Sequence, residues 1–355
     1  MGYTMKKVYS GILGEFVYDD TEFIVDYHML NSEILRYIGN GTKVKKPEGL
    51  LSCRFMFEGF EFEHLDLSEF DTTDVTSMDG MFMHCKKLKS LDLSNFKTDG
   101  VMYMYGMFSG CESLTRLDLS SFNTSSVVDM HEMFLNCFKL KELNLSSFDT
   151  ACVENMEGMF SNCIRLKSLD LSSFRTPHVY MTEYMFNECK RLKYLNISNF
   201  STERLEYMSY MFSGCGFEEL DLYNLETKKV RKMEGLFRKC HNLKYINVSS
   251  FDTSNVTDMS MMFADCKSLE CVDLSNFNLS DTTLMTSMFR NCSKLKCLDI
   301  NFKGLKERNF PLDISGLFVS CNSLSYLVLP REKTFIEEEI YGFIEGTQLS
   351  SFEGG

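Results

Sequence analysis

A cysteine returns along this 355-residue chain at almost constant intervals, at Cys85, Cys111, Cys137, Cys163, Cys189, Cys215, Cys240, Cys266, Cys292 and Cys321. The steps are 26 residues five times, then 25, 26, 26 and 29. Around each cysteine runs one phrase, Met-Phe-x-x-Cys-x-x-Leu-x-x-Leu-Asp-Leu-Ser-x-Phe, with small substitutions. A period of this size means that no unit buries its apolar face alone; each must stack on its neighbours, which restricts the chain to a solenoid. Such a core grows in one dimension, so the length does not call for several globular domains.

One unit shows how a turn of the solenoid is made. Leu114, Leu117 and Leu119 give the spacing L-x-x-L-x-L, and Leu117 and Leu119 alternate with Asp118 and Ser120, the pattern of a half-buried strand. Val127, Met130, Met133, Phe134 and Cys137 follow, and from Met130 the offsets 0, 3, 4 and 7 describe one face of a short helix. Thr124, Ser125 and Ser126 precede it as capping hydroxyls. The expected fold is an α/β solenoid, a leucine-rich repeat array with a parallel β-sheet on the concave face and short helical or 3-10 segments on the convex face.

Three regions follow from where the repeat holds. Residues 51–329 carry about ten repeats of 25–29 residues. Residues 1–50 are not repetitive and are assigned to an N-terminal cap, and residues 330–355 to a C-terminal one, because an exposed terminal core must be covered. Ile336, Ile340, Phe343 and Ile344 would form the apolar side of a lid helix there. Met56-Phe57-Glu58-Gly59-Phe60 is a degenerate first rung. Cys215-Gly216-Phe217 marks a unit one residue short, and the last unit is longer, with Lys303, Lys306 and Arg308 in its loop, read as drift near the end of an array.

The composite phrase, continued as Phe-x-Thr-x-x-Val-x-x-Met-x-x-Met-Phe-x-x-Cys, resembles the BspA-type leucine-rich repeat proteins, which are common among bacterial surface proteins and lipoproteins. The resemblance covers about Cys53 to Leu329, and the segment from Tyr37 through Gly49 is similar to the lead-in strand of such arrays. It implies a protein-binding or adhesive role.

Little in the chain suggests chemistry. The cysteine column reads as buried thiols serving as small hydrophobes, since a linear file offers no tetrahedral zinc cluster. Cys271 and Cys297 stand apart from it, one repeat apart on a solvent-facing position, and are expected as two unpaired thiols of a reducing compartment. The methionines and phenylalanines fall on the packing face. The histidines, His28, His64, His84, His131, His178 and His241, occupy different repeat positions and join no nucleophile motif, and no phosphate-binding glycine loop is present. Carboxylates recur at Asp66, Asp92, Asp118, Asp170, Asp221, Asp273 and Asp299, in a column completed by Asn144, Asn196 and Asn247. The lysines beside it, such as Lys89 and Lys193, are expected to neutralise it, and it lacks the clustered loop ligands that calcium prefers. The sequons at those asparagines lie within strands and are read as by-products of the repeat. No catalytic, cofactor-binding or metal-binding residue is assigned, and no cofactor is expected.

Function is sought where the repeat varies. A formal charge of −13 argues against nucleic acid as a partner. The absence of a run of about 18 apolar residues argues against membrane insertion. No secretory leader is read in Met1–Asp20, so the expected location is the cytoplasm, with the cell surface or secretion as the alternative. The residue before each strand's first leucine varies most: His64, Ser90, Arg116, Glu142, Ser168, Tyr194, Glu219, Tyr245, Cys271, Cys297 and Tyr326. Tyrosine and arginine dominate binding energies at interfaces. The chain is therefore expected to be a non-enzymatic scaffold that binds a protein partner through Arg116, Glu142, Tyr194 and Tyr245, with no small-molecule substrate. The alternative is a surface adhesin or host-binding protein.

Overall fold

The computed structural model describes residues 43–46, 49–300 and 311–329, together with the strand segments 7–11, 14–19, 22–24 and 352–354. The first three strands, β1 (Lys7–Gly11), β2 (Gly14–Asp19) and β3 (Glu22–Ile24), form an antiparallel meander, and β3 pairs in parallel with β4 (Lys43–Lys45). The Val44 amide donates to the Asp66 carbonyl at 3.0 Å, setting β4 against the repeat array.

The array itself presents eleven short strands, one per turn: β5 (His64–Leu65), β6 (Ser90–Leu91), β7 (Arg116–Asp118), β8 (Glu142–Asn144), β9 (Ser168–Asp170), β10 (Tyr194–Asn196), β11 (Glu219–Asp221), β12 (Tyr245–Asn247), β13 (Cys271–Leu274), β14 (Cys297–Ile300) and β15 (Tyr326–Leu329). Every ladder among them is parallel and pairs equivalent repeat positions, Arg116 with Glu142 and Tyr194 with Ser168 for example. The last pairs in parallel with β16 (Phe352–Gly354). A second ladder of single bridges runs down the opposite wall from Ser52–Ser77 to Leu284–Asp313. The array is thus a parallel β-solenoid, bridged continuously on one wall and, on the other, paired in short parallel sheets, β5–β6, β7–β8, β9–β10, β11–β12 and β13–β16.

That second wall overturns one expectation. The spacing of Met130, Met133, Phe134 and Cys137 predicts a short helix; no helix occurs here or elsewhere among the described residues. The amides of Met130, Glu132, Phe134 and Asn136 donate to carbonyls of Asn155, Glu157, Met159 and Ser161 on the next turn, at 3.1, 2.7, 2.9 and 2.9 Å. The amides between them, of Met133, Leu135 and Cys137, close three-residue turns on Met130, Glu132 and Phe134. A helix would need the same donors for its own i−4 carbonyls. Glu132 and Asn136 have φ of 56° and 59°, a left-handed reversal that no right-handed helix admits. Two tight turns per unit return the chain inward every three or four residues, which mimics helical spacing.

Thr124 likewise caps nothing in its own turn. Its hydroxyl donates to the Asp149 carbonyl (2.7 Å) and accepts from the Asp149 amide (2.9 Å) on the next turn. Thr72, Thr98, Thr150 and Thr253 repeat this clasp.

Inside, two files of phenylalanine run along the axis. From Phe57 to Phe318 one ring per turn stacks on the next, with centroids 5.4–5.8 Å apart. The second file contains Phe70, Phe96 and Phe122, then Phe148, Phe174 and Phe200, at 6.0–6.4 Å. Each buried ring contributes roughly 1.5–3 kcal/mol. The ten ladder cysteines are buried free thiols. Each Sγ also donates to a phenylalanine carbonyl of the preceding turn, at 3.0–3.3 Å.

The shortened unit is built around its substitution. Phe217 is buried and meets Phe212 edge-on at 6.3 Å, and Phe62 meets Phe57 in the same way at 6.4 Å in the equally short first unit. Lys303, Lys306, Arg308 and the lid residues Ile336, Ile340, Phe343 and Ile344 lie outside the described residues. No helix among the described residues is long and apolar enough to cross a membrane.

Candidate interaction face

The strand wall divides its side chains by position. In each strand the second residue, leucine, isoleucine or Val272, packs on the core, and the first residue stands outside, exposed at every turn except Cys297, which is partly covered. Arg116 and Glu142 are register partners on adjacent turns. Tyr194 lies beside Ser168, and Tyr245 beside Glu219. Neighbouring turns are 4.7 Å apart where Cys271 and Cys297 measure them. At the spacing of paired strands, the five steps of the column Arg116, Glu142, Ser168, Tyr194, Glu219, Tyr245 amount to roughly 24 Å. All four expected binding residues share this face. Tyr194 and Tyr245 expose 57% and 53% of their surface, far more than packing would leave them.

The carboxylate column beside it is occupied by the backbone rather than by lysines. Asp66, Asp92, Asp118 and Asp170 each accept the amide of the serine two residues on, at 3.0 Å. Those serine bonds hold Asp92, Asp118 and Asp170 below the usual carboxylate range. Asn144, Asn196 and Asn247 make the same turn with their amide oxygens, which explains why asparagine alternates with aspartate there. Asp299 differs: burial, then the charge of Asp273, pushes it up.

The rim lysines pair instead with glutamates of neighbouring turns. Lys87 meets Glu61 at 2.9 Å, Lys89 meets Glu63 at 2.6 Å, and Lys296 meets Glu270 at 2.9 Å. Glu218 receives both Lys193 (3.0 Å) and Lys244 (3.1 Å). The expected neutralisation of the aspartates by these lysines is thus corrected: the aspartates sit in turns, the lysines on the rim.

Cys271 and Cys297 are joined in a disulfide, with Cα atoms 4.7 Å apart, against the expectation of two free thiols. Parallel register sets them directly opposite each other, within bonding reach. Burial raises the ladder thiols by contrast, Cys85 and Cys137 to about 12, so they stay protonated and inert. No group of three or more His, Cys, Asp and Glu among the described residues could hold a metal ion.

Sequence reasoning missed Tyr223, which exposes 67% of its surface. It stands where other turns carry serine (Ser68, Ser94, Ser120), and one aromatic residue in a serine column was the available signal. On the opposite wall His131 stacks on Tyr105 at 4.0 Å and bonds Asp129 at 2.6 Å. Burial opposes the charge on His131, but the Asp129 bond and nearby carboxylates outweigh it and raise the imidazole above its ordinary value.

The fold and this face define a leucine-rich parallel β-solenoid whose variable side chains stand in one outward column. The chain belongs to the family described as Mycoplasma protein of unknown function, DUF285, which matches residues 51–167, 118–219 and 216–322. No curated protein matches the sequence. Among solved structures, a leucine-rich cell surface protein from Faecalibacterium prausnitzii is 16% identical, over 97% of this chain and 89% of that one, with a TM-score of 0.37. A leucine-rich repeat protein from Eubacterium ventriosum is 12% identical, over 89% and 80%, with a TM-score of 0.27.

Proposed function

We propose that the chain is a non-enzymatic scaffold that binds a protein partner across its strand face, in the manner of BspA-type repeat proteins, with residues 1–50 and 330–355 closing its ends. The observation that carries this reading is the exposure of Tyr194 and Tyr245 on a column that packing does not use, in line with Arg116 and Glu142. Large exposed tyrosines are among the residue types that anchor interfaces.

Alanine at Tyr194 and Tyr245 together should weaken partner capture in an affinity pull-down by at least about tenfold, with folding unchanged. Undiminished capture by a folded double variant would reject this face. The Cys271–Cys297 disulfide favours a second reading, a cell-surface or secreted adhesin, because such bonds persist in oxidising surroundings. The two readings part on whether the tagged chain is labelled on intact cells or only after lysis.

A further inference from the structure

On most of the strand-wall rim a lysine faces a glutamate one turn away, as the Lys87–Glu61, Lys89–Glu63 and Lys296–Glu270 pairs show. Three consecutive turns depart from this. They carry Lys139 and Lys141, then Arg165 and Lys167, then Arg191. All five are exposed, and none is in an ion pair with a described residue. The repeat places Lys139, Arg165 and Arg191 at one position and Lys141 and Lys167 at another. The Lys193 amide donates to the Lys167 carbonyl at 2.9 Å, which sets the second and third of these turns in the same parallel register as β9 and β10.

Cations in equivalent positions on neighbouring turns repel one another. In a chain of net charge −13 that has glutamates at the matching positions elsewhere, packing gives no reason to gather them. We propose that this basic rim receives an acidic segment of the partner protein, a short run of carboxylates lying across the three turns. The proposal rests on the scaffold reading above and names the chemistry of the partner.

Size and surroundings favour a peptide over a polyphosphate. The three turns span about 10 Å, the length of roughly three extended residues. Glu112 on one side and Glu218 on the other bound the patch, each already held in an ion pair with lysine, so the run of unpaired cations stops at these turns. Tyr194 stands one residue beyond Lys193, where an apolar side chain flanking the acidic run would find a surface.

The test uses the full chain and a fluorescent oligoglutamate peptide, followed by anisotropy at low and at physiological salt. The wild type should bind, and binding should weaken as salt rises. Arg165→Glu with Lys167→Glu should weaken it by about tenfold or more. The milder Arg165→Ala with Lys167→Ala guards against misfolding and should lower affinity in the same direction. Lys87→Glu with Lys296→Glu, at paired positions, should change it little. No salt-dependent binding, or equal loss in the paired-lysine control, overturns the proposal. So does tighter binding of single-stranded DNA, of heparin, or of phosphatidylglycerol vesicles than of the peptide. If the peptide fails while the tyrosine variants still lose the partner, the scaffold reading stands and this one falls.

Discussion

The surroundings of His131 raise its pKa and make the turn wall sensitive to pH. Asp129 bonds it, and Glu132 and Glu157 lie close enough to act on it. Glu157 is itself raised, first by burial and then by the charge of Glu183. For a histidine whose folded pKa exceeds its ordinary 6.5, the stabilisation is complete below that value and is lost as pH rises through the folded one. A carboxylate raised above 4.5 by burial opposes folding once it ionises, so it acts in the same direction. The lowered aspartates of the strand face titrate well below this window and do not offset it. The thermal midpoint should therefore be higher at about pH 6 than at about pH 8, and His131→Gln should flatten the difference. An unchanged slope in that variant would show that the imidazole is not responsible. Tyr105, His131 and Glu157 share one repeat position at 26-residue steps, but what packs around that position, and the bond from His131 to Asp129, follow only from the geometry of the turns. The cysteine column was legible as core from its period alone. Its second role, thiol donation to a phenylalanine carbonyl, depends on turn-to-turn geometry that spacing does not encode.

At the level of the element, strands and turns were unequally legible. Alternation of Leu117 and Leu119 with polar neighbours identified the strand, since period two has one structural meaning. The period of three to four in Met130–Cys137 has two, a helix or paired tight turns, and the left-handed residues that decide between them are ordinary ones such as Glu132 and Tyr184. The short sixth unit adds a harder constraint. A Cβ on Gly216 would lie 2.5 Å from the Lys190 carbonyl oxygen and 3.2 Å from that of Leu192, both backbone atoms that cannot move aside cheaply. Glycine is what lets the chain reach β11 with one residue fewer. Gly216→Ala should cost about 1–3 kcal/mol in denaturant unfolding. The same change at Gly100, whose nearest neighbour would be 3.6 Å away, should cost much less. Equal losses at the two sites would mean that the close approach does not govern the shortened turn.

For the whole molecule, the decisive property is that each turn touches only its neighbours, so a local bond has a local effect. Cys271–Cys297 ties together two turns separated by 26 residues of chain. Closing a loop of that length restricts the unfolded chain by roughly 3 kcal/mol. In a globular domain this would be spread over the cooperative unit. In a solenoid it falls first on the pair of turns that carry it, because opening there need not disrupt distant ladders. The Phe263–Phe289 stack and the four register pairs of β13 and β14 hold the same two turns independently, so reduction should loosen rather than unfold them. Reduction, or Cys271→Ser with Cys297→Ser, should therefore speed amide exchange in residues 258–300 and leave residues 77–160 unchanged. Exchange that rises evenly along the array would instead make the solenoid one cooperative unit, in which the strand face and its basic rim could respond to the redox state of a bond several turns away.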